Sequence, residues 1–296
     1  MSTAPVADGS SSKPAAISGS QSADLPVTRS LTLAYVSSLV IAFLAAIASA
    51  AGFLYGTTLY PTSEMLLRYL PIDLFTFVVG LPLLLGSMWL ARRRRLLGLL
   101  CWPGVLLYLL YIYVSYSIGV PFNVLFLVYV LLVALSAYTL IGLVASTDAP
   151  AVRQRLAGAV PERVAGGILV GLAILFSLMN LANIVAALTS PAQGYQLEAP
   201  VWIADSAVVA PAWIIGGLLL WQRKPLGYVA GAGLLLLGSM LFVGVIFALA
   251  FTAFNTASPL DLISIVFILV VGLICFVPLV LFARGIVRSD RSSSPA

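Results

Sequence analysis

Eight long apolar stretches, separated by short polar loops, are the strongest constraint on what this chain can fold into. A run of about 20 apolar residues matches a ~30 Å hydrocarbon core at a rise of 1.5 Å per residue. Backbone amides and carbonyls cannot go unpaired in lipid, so a spanning segment is a helix or part of a closed barrel. Barrel strands would alternate apolar and polar residues over about ten positions. These runs are continuously apolar. Hydrophobic residues make up 61% of the chain and charged residues 8%, against roughly 25% charged in soluble proteins. The predicted class is an all-α, polytopic helical membrane protein with about eight transmembrane helices.

The spans are expected near residues 31–55, 72–90, 96–117, 121–145, 164–188, 204–221, 226–252 and 261–283. Residues 1–30, rich in Ser, Ala, Pro and Gly, are expected to be a disordered tail. Ala48-Ser49-Ala50 resembles a signal-peptidase site, but the leader and apolar core are too long for a signal peptide, which favours an uncleaved helix. The organisation read from the chain is a tail (1–30), a four-helix half (31–147), a linker (148–163), a second four-helix half (164–285) and a tail (286–296).

Charge sets the expected orientation. Of fifteen Lys and Arg residues, only Arg68 falls on the side opposite the rest. The positive-inside rule then puts both termini in the cytoplasm, with a bacterial cell membrane as the expected location. The same asymmetry accounts for the net charge of +5, so nucleic acid is not an expected partner. The expected partners are the lipid bilayer and anionic headgroups on the cytoplasmic side. Arg92, Arg93, Arg94 and Arg95 are candidate headgroup contacts, although a stop signal for insertion accounts for that run as well. Small-xxx-small pairs (Gly167–Gly171, Gly227–Gly231, Ala42–Ala46, Ala48–Gly52) permit close helix approach. They leave a homo-oligomer or a membrane partner open.

Two halves of similar pattern stand out. Asp73 precedes Trp89 by sixteen residues, and Asp205 precedes Trp221 by sixteen. Pro121-Phe122-Asn123 and Pro259-Leu260-Asp261 open the fourth and eighth spans, and Tyr129, Ala134 and Tyr138 align with Phe267, Gly272 and Phe276. An internal repeat of four helices would place a two-fold pseudo-axis along the membrane normal. Interface preferences alone also favour Asp and Trp at such positions.

The candidate site residues are polar groups in the outer half. Asp73, Asn123, Asp205 and Asp261 open the four spans that run inward. They fit helix caps, which accept bonds from the free amides of the first turn, or a carboxylate ring attracting cations. Glu198 would add to that field. Ser177, Asn180 and Asn183 recur every three residues and share one helix face. They serve either as interhelical hydrogen-bonding groups or as a solute-facing strip, and Asp205 is close enough in sequence to share their cavity. Tyr108, Tyr111, Tyr113 and Tyr116 fit an outer aromatic belt, with Tyr108, Tyr111 and Ser115 placed to share a stripe that packs or lines a cavity, and Trp89, Trp102 and Trp221 fit an inner belt. Thr62–Leu70 reads as a separate interfacial helix with a Glu64–Arg68 pair. Asp148 and Pro150 are positioned to start a short helix in the linker.

The chain has no histidine, and Cys101 and Cys275 lie inside apolar runs. No metal spacing, nucleophile motif or catalytic carboxylate pair is present, so no cofactor and no enzymatic activity are expected. No ionisable residue is expected at the bilayer centre, which argues against a proton pump or voltage sensor. The sequence leaves two readings: a small-solute permease or channel-like protein, or alternatively a non-catalytic scaffold, accessory or sensor subunit.

Overall fold

The computed structural model describes residues 25–189, 195–256 and 262–292. Eight helices in it are long and apolar enough to cross a membrane, and there is no strand among the described residues. The chain is an all-α multi-pass membrane protein. We number the spanning helices α1 (Thr32–Leu54), α2 (Ser63–Arg92), α3 (Leu96–Gly119), α4 (Phe126–Ala145), α5 (Glu162–Thr189), α6 (Leu197–Trp221), α7 (Pro225–Asn255) and α8 (Leu262–Ser292). Two short helices, Gly56–Leu59 and Ala149–Leu156, lie in the connections.

Helices α3 and α7 form the centre. In α3, 78% of the apolar window is buried, against 22% to 44% in the others. The two cross where Gly104 meets Gly233, and a Cβ on Gly104 would stand 2.2 Å from the Gly233 carbonyl oxygen. Only glycine on both sides allows backbones to approach so closely. Around this pair, α2 packs on α7 and the N-terminal part of α6 packs on α3. The outward sides of α1, α4 and α8 expose large apolar residues such as Leu33, Leu127 and Ile263, as lipid-facing helices do. The four small-xxx-small pairs mostly serve contacts inside the chain. Gly227 lies against the Leu219–Leu220 backbone, Gly231 against Phe282, and Gly52 against Asp73.

Helices α2 and α6 share an irregularity. Each contains a proline in its N-terminal part, Pro71 or Pro200, and each widens into one π turn, Thr76–Gly80 or Asp205–Val209. The Leu81 amide donates to the Thr76 carbonyl and the Ala210 amide to the Asp205 carbonyl, each five residues back. Pro82 and Pro211 come directly after. A proline ring has no N–H and crowds the carbonyl four residues earlier, and widening the turn relieves both problems. The helices also end alike. Arg94 and Arg223 take left-handed backbone (φ 59° and 56°). The Arg95 and Lys224 amides reach back to the Leu90 and Leu219 carbonyls, closing Schellman caps. Gly98 and Gly227 then let the next helix start against the last turn. All these pairs, and Gly104 with Gly233, stand 129 residues apart.

The Asp73–Trp89 and Asp205–Trp221 pairs noted in the sequence are 132 residues apart, three off that spacing, and Thr76 is the residue 129 before Asp205.

The arginine-rich end is tied together by polar contacts. Residues 25–30, expected within a disordered tail, dock on the connection between the halves. The Thr28 amide donates to the Ser146 carbonyl, and the Asp148 amide to that of Pro26 (both 2.8 Å). Residues 1–24 lie outside the described residues. Asp148 caps the Ala149–Leu156 helix by accepting from the Ala151 amide. Glu162, buried at the start of α5, accepts from the Gly158 amide and the Tyr228 hydroxyl. Asp290 of α8 accepts from the Leu96 amide and so caps α3.

Three further expectations are corrected. Thr62–Leu70 is no separate interfacial helix, because from Ser63 it runs straight into the second span. Arg68 pairs with Glu198 of α6 rather than Glu64. The α3 tyrosines and Trp102 do not form belts at the lipid interface. They are buried, because α3 is central, and the Trp102 indole donates to Ser38 Oγ (3.0 Å). Trp89 and Trp221 are half-exposed, as belt residues are.

Candidate functional site

Two aspartates lie within the half of the bundle away from the arginine-rich end, and neither is a helix cap. Asp73 sits about one turn after Tyr69 in continuous helix and is 3% exposed. Tyr60, in the α1–α2 connection, donates to its Oδ2 (2.5 Å). The Tyr116 hydroxyl of α3 lies 3.1 Å from Oδ1 and 3.0 Å from the Tyr69 carbonyl. Burial, reinforced by the Asp73 carboxylate, raises the Tyr60 phenol above its ordinary value, so it remains a donor. Tyr69 stacks on Tyr60 and meets Tyr116 edge-on, and Tyr129 packs against Tyr113 and Tyr116. Gly52 supplies the notch for the carboxylate: a Cβ there would fall 1.9 Å from Oδ2. This is a filled polar knot joining α1, α2, α3 and α4.

Asp205 meets different surroundings. It starts the π turn of α6 and accepts from Asn180 Nδ2 of α5 (3.2 Å). The Tyr111 hydroxyl of α3 lies alongside. Asp205, Asn180, Asn183 and Ser177 all line one cavity of about 260 Å³. The three-residue spacing on α5 aims its polar face there, and the π turn on α6 sets the orientation of Asp205. Asn180 is buried, whereas Asn183, one turn nearer the helix end, is exposed. The remaining walls are apolar, aliphatic side chains such as Val209 and Leu241 standing beside the aromatic Phe176, Trp202, Trp213, Phe242 and Tyr111.

A second cavity of about 630 Å³ adjoins it between α2, α3, α6 and α7. The two share Tyr111, Val201, Leu241 and Val245 in their walls. The second is mostly apolar, with Phe75, Ile112 and Met240 among its lining, and carries Arg68 and Glu198. Both guanidinium nitrogens of Arg68 engage the Glu198 carboxylate, the Nη2–Oε2 contact at 2.8 Å. This two-pronged pair links α2 to α6.

The other sequence candidates lie elsewhere. Asn123 closes a local turn, accepting from the Leu125 amide and donating to the Pro121 carbonyl. Asp261 lies outside the described residues. Arg92, Arg93, Arg94 and Arg95 are exposed at the opposite end, with Arg93 over the Trp89 ring at 3.9 Å. Sequence reasoning missed the aromatic walls and the Arg68–Glu198 link. Their residues come from several helices, and no spacing along one helix announces them. Pro82 and Pro211 were the available signal for the π turns. No protein-family model, curated protein or solved structure matches the chain.

Proposed function

We propose that this protein is a small-solute permease or channel-like protein, with its solute site in the cavity bearing Asp205. One observation carries the reading. Four polar side chains from α5 and α6 converge on a cavity inside an otherwise apolar bundle, next to a larger chamber at the junction of the two halves. Ligand sites have this character: mostly apolar walls with a few placed polar groups. Polar residues held inside membrane bundles commonly mark solute paths. The features that recur 129 residues apart support an internal four-helix repeat, whose pseudo-axis passes between Gly104 and Gly233. Repeat transporters bind at such junctions. The arginine asymmetry supports cytoplasmic termini in a bacterial cell membrane, with Arg92–Arg95 against anionic headgroups. The cavities then open toward the outer leaflet.

The test is reconstitution into proteoliposomes and osmotic swelling with a panel of small polar solutes and organic cations. At least one solute should enter faster than into protein-free vesicles, and Asp205→Asn should reduce that rate about tenfold. Rates equal to those of empty vesicles for every solute would overturn the reading and leave the scaffold role.

A further inference from the structure

We infer that the Asp205 cavity is a binding site for an organic ammonium group. The inference names the substrate class for the site just described and rests on that reading for its location. Asp205 places a carboxylate in the cavity, where it meets the neutral amide of Asn180 and the Tyr111 hydroxyl. Among the described residues no Lys or Arg forms an ion pair with it. Arg68, in the adjoining chamber, is held by both oxygens of Glu198. A carboxylate inside a membrane bundle with no counter-charge either holds a proton or meets a cation, and the open cavity in front of Asp205 leaves room for the cation.

The walls say which kind. Phe176, Trp202, Trp213, Phe242 and Tyr111 line the same small cavity. Phe176 meets Trp213 and Phe242 at centroid distances of 6.3 Å and 5.7 Å. Aromatic rings grouped around a carboxylate attract alkylated ammonium ions, whose charge is spread over methyl or methylene groups and is weakly hydrated. A divalent metal takes six or more oxygen ligands, and the side chains on the cavity offer one carboxylate, two amides and two hydroxyls. A volume of about 260 Å³ suits a headgroup-sized ion rather than a drug-sized molecule. The ammonium could come from a free solute such as choline or from a phosphatidylcholine headgroup, since Asn183 and Met179 leave the cavity's α5 side exposed.

The test is calorimetric titration of the full chain in maltoside detergent. Choline and tetramethylammonium chloride are the ligands. Sodium chloride at equal ionic strength and the uncharged carbon isostere of choline are controls. Saturable binding is expected for both ammonium ions, about tenfold weaker or absent for the isostere and for sodium. Asp205→Asn should weaken binding about tenfold or more, and Phe176→Leu by a smaller factor, both eluting from size exclusion like the parent. A titration with no saturable heat, or one that the isostere or Asp205→Asn leaves unchanged, overturns the inference. Lipid nanodiscs separate the sources. Loss of choline binding in phosphatidylcholine discs, but not in phosphatidylglycerol discs, assigns the ammonium to a headgroup, and equal binding in both assigns it to a solute. Ammonium binding without flux would sink the permease reading alone, whereas flux without ammonium binding would sink only this inference.

Discussion

Asp73 and Asp205 are the same residue type on comparable helices, and their neighbours give them opposite roles. Two phenols close on Asp73, and Gly52 makes room for its Oδ2. Asp205 has an amide and a phenol beside it and an open cavity in front. The notch predicts a contrast between two glycines. Gly52→Ala forces a methyl into the carboxylate and should lower stability by about 1–3 kcal/mol. Gly86→Ala meets nothing within 4 Å in a helix interior and should raise stability by about 0.5–1 kcal/mol. Thermal melting in detergent reads both, and melting shifts of the same sign would disprove the tight fit. From sequence, the Ser177–Asn180–Asn183 face was legible because it needs only helical periodicity. The Asp73 knot was not, because Tyr60, Tyr116 and Gly52 come from three separate elements.

At the scale of elements, α2 and α6 are each a helix with one π turn placed by a proline just beyond it. The extra residue rotates the outer part of the helix relative to the inner part, which turns Asp205 toward α5 and Thr76 toward Tyr108 (3.1 Å). Replacing Pro211 with Ala lets the turn revert to α geometry and swings Asp205 by about 100°. Ammonium binding should then fall about tenfold while the protein melts no lower, whereas Pro82→Ala should leave binding unchanged. Calorimetry on the two variants checks this, and equal effects would show that the π turn does not orient the carboxylate. The span boundaries were legible within a few residues wherever a loop begins with a charge or proline. They were missed at the outer ends of α2 and α6, where amphipathic turns at Ser63 and Leu197 continue the helix outward.

At the scale of the molecule, α3 and α7 meet at paired glycines, and the two halves differ in chemistry across that seam. Tyr108 and Tyr111 on α3 correspond at the 129-residue spacing to Leu237 and Met240 on α7. The α3 side of the seam thus carries the phenols, and the α7 side aliphatic residues. The expected orientation belongs to this scale too. Reporter enzymes fused after Arg94 and after Arg155 should both give the cytoplasmic signal. Signals from opposite faces would break the eight-span topology, and two external signals would reverse it.

Apolar run length and arginine placement carried the class, the number of helices and the basic end, because lipid imposes those rules on each segment by itself. Which aspartate is sealed and which stands open, and that tyrosines and a tryptophan lie at the centre, depended on which helices become neighbours. Burial of a membrane helix is set by its partners, since lipid tails are as apolar as the side chains of a protein core and give no push of their own toward either.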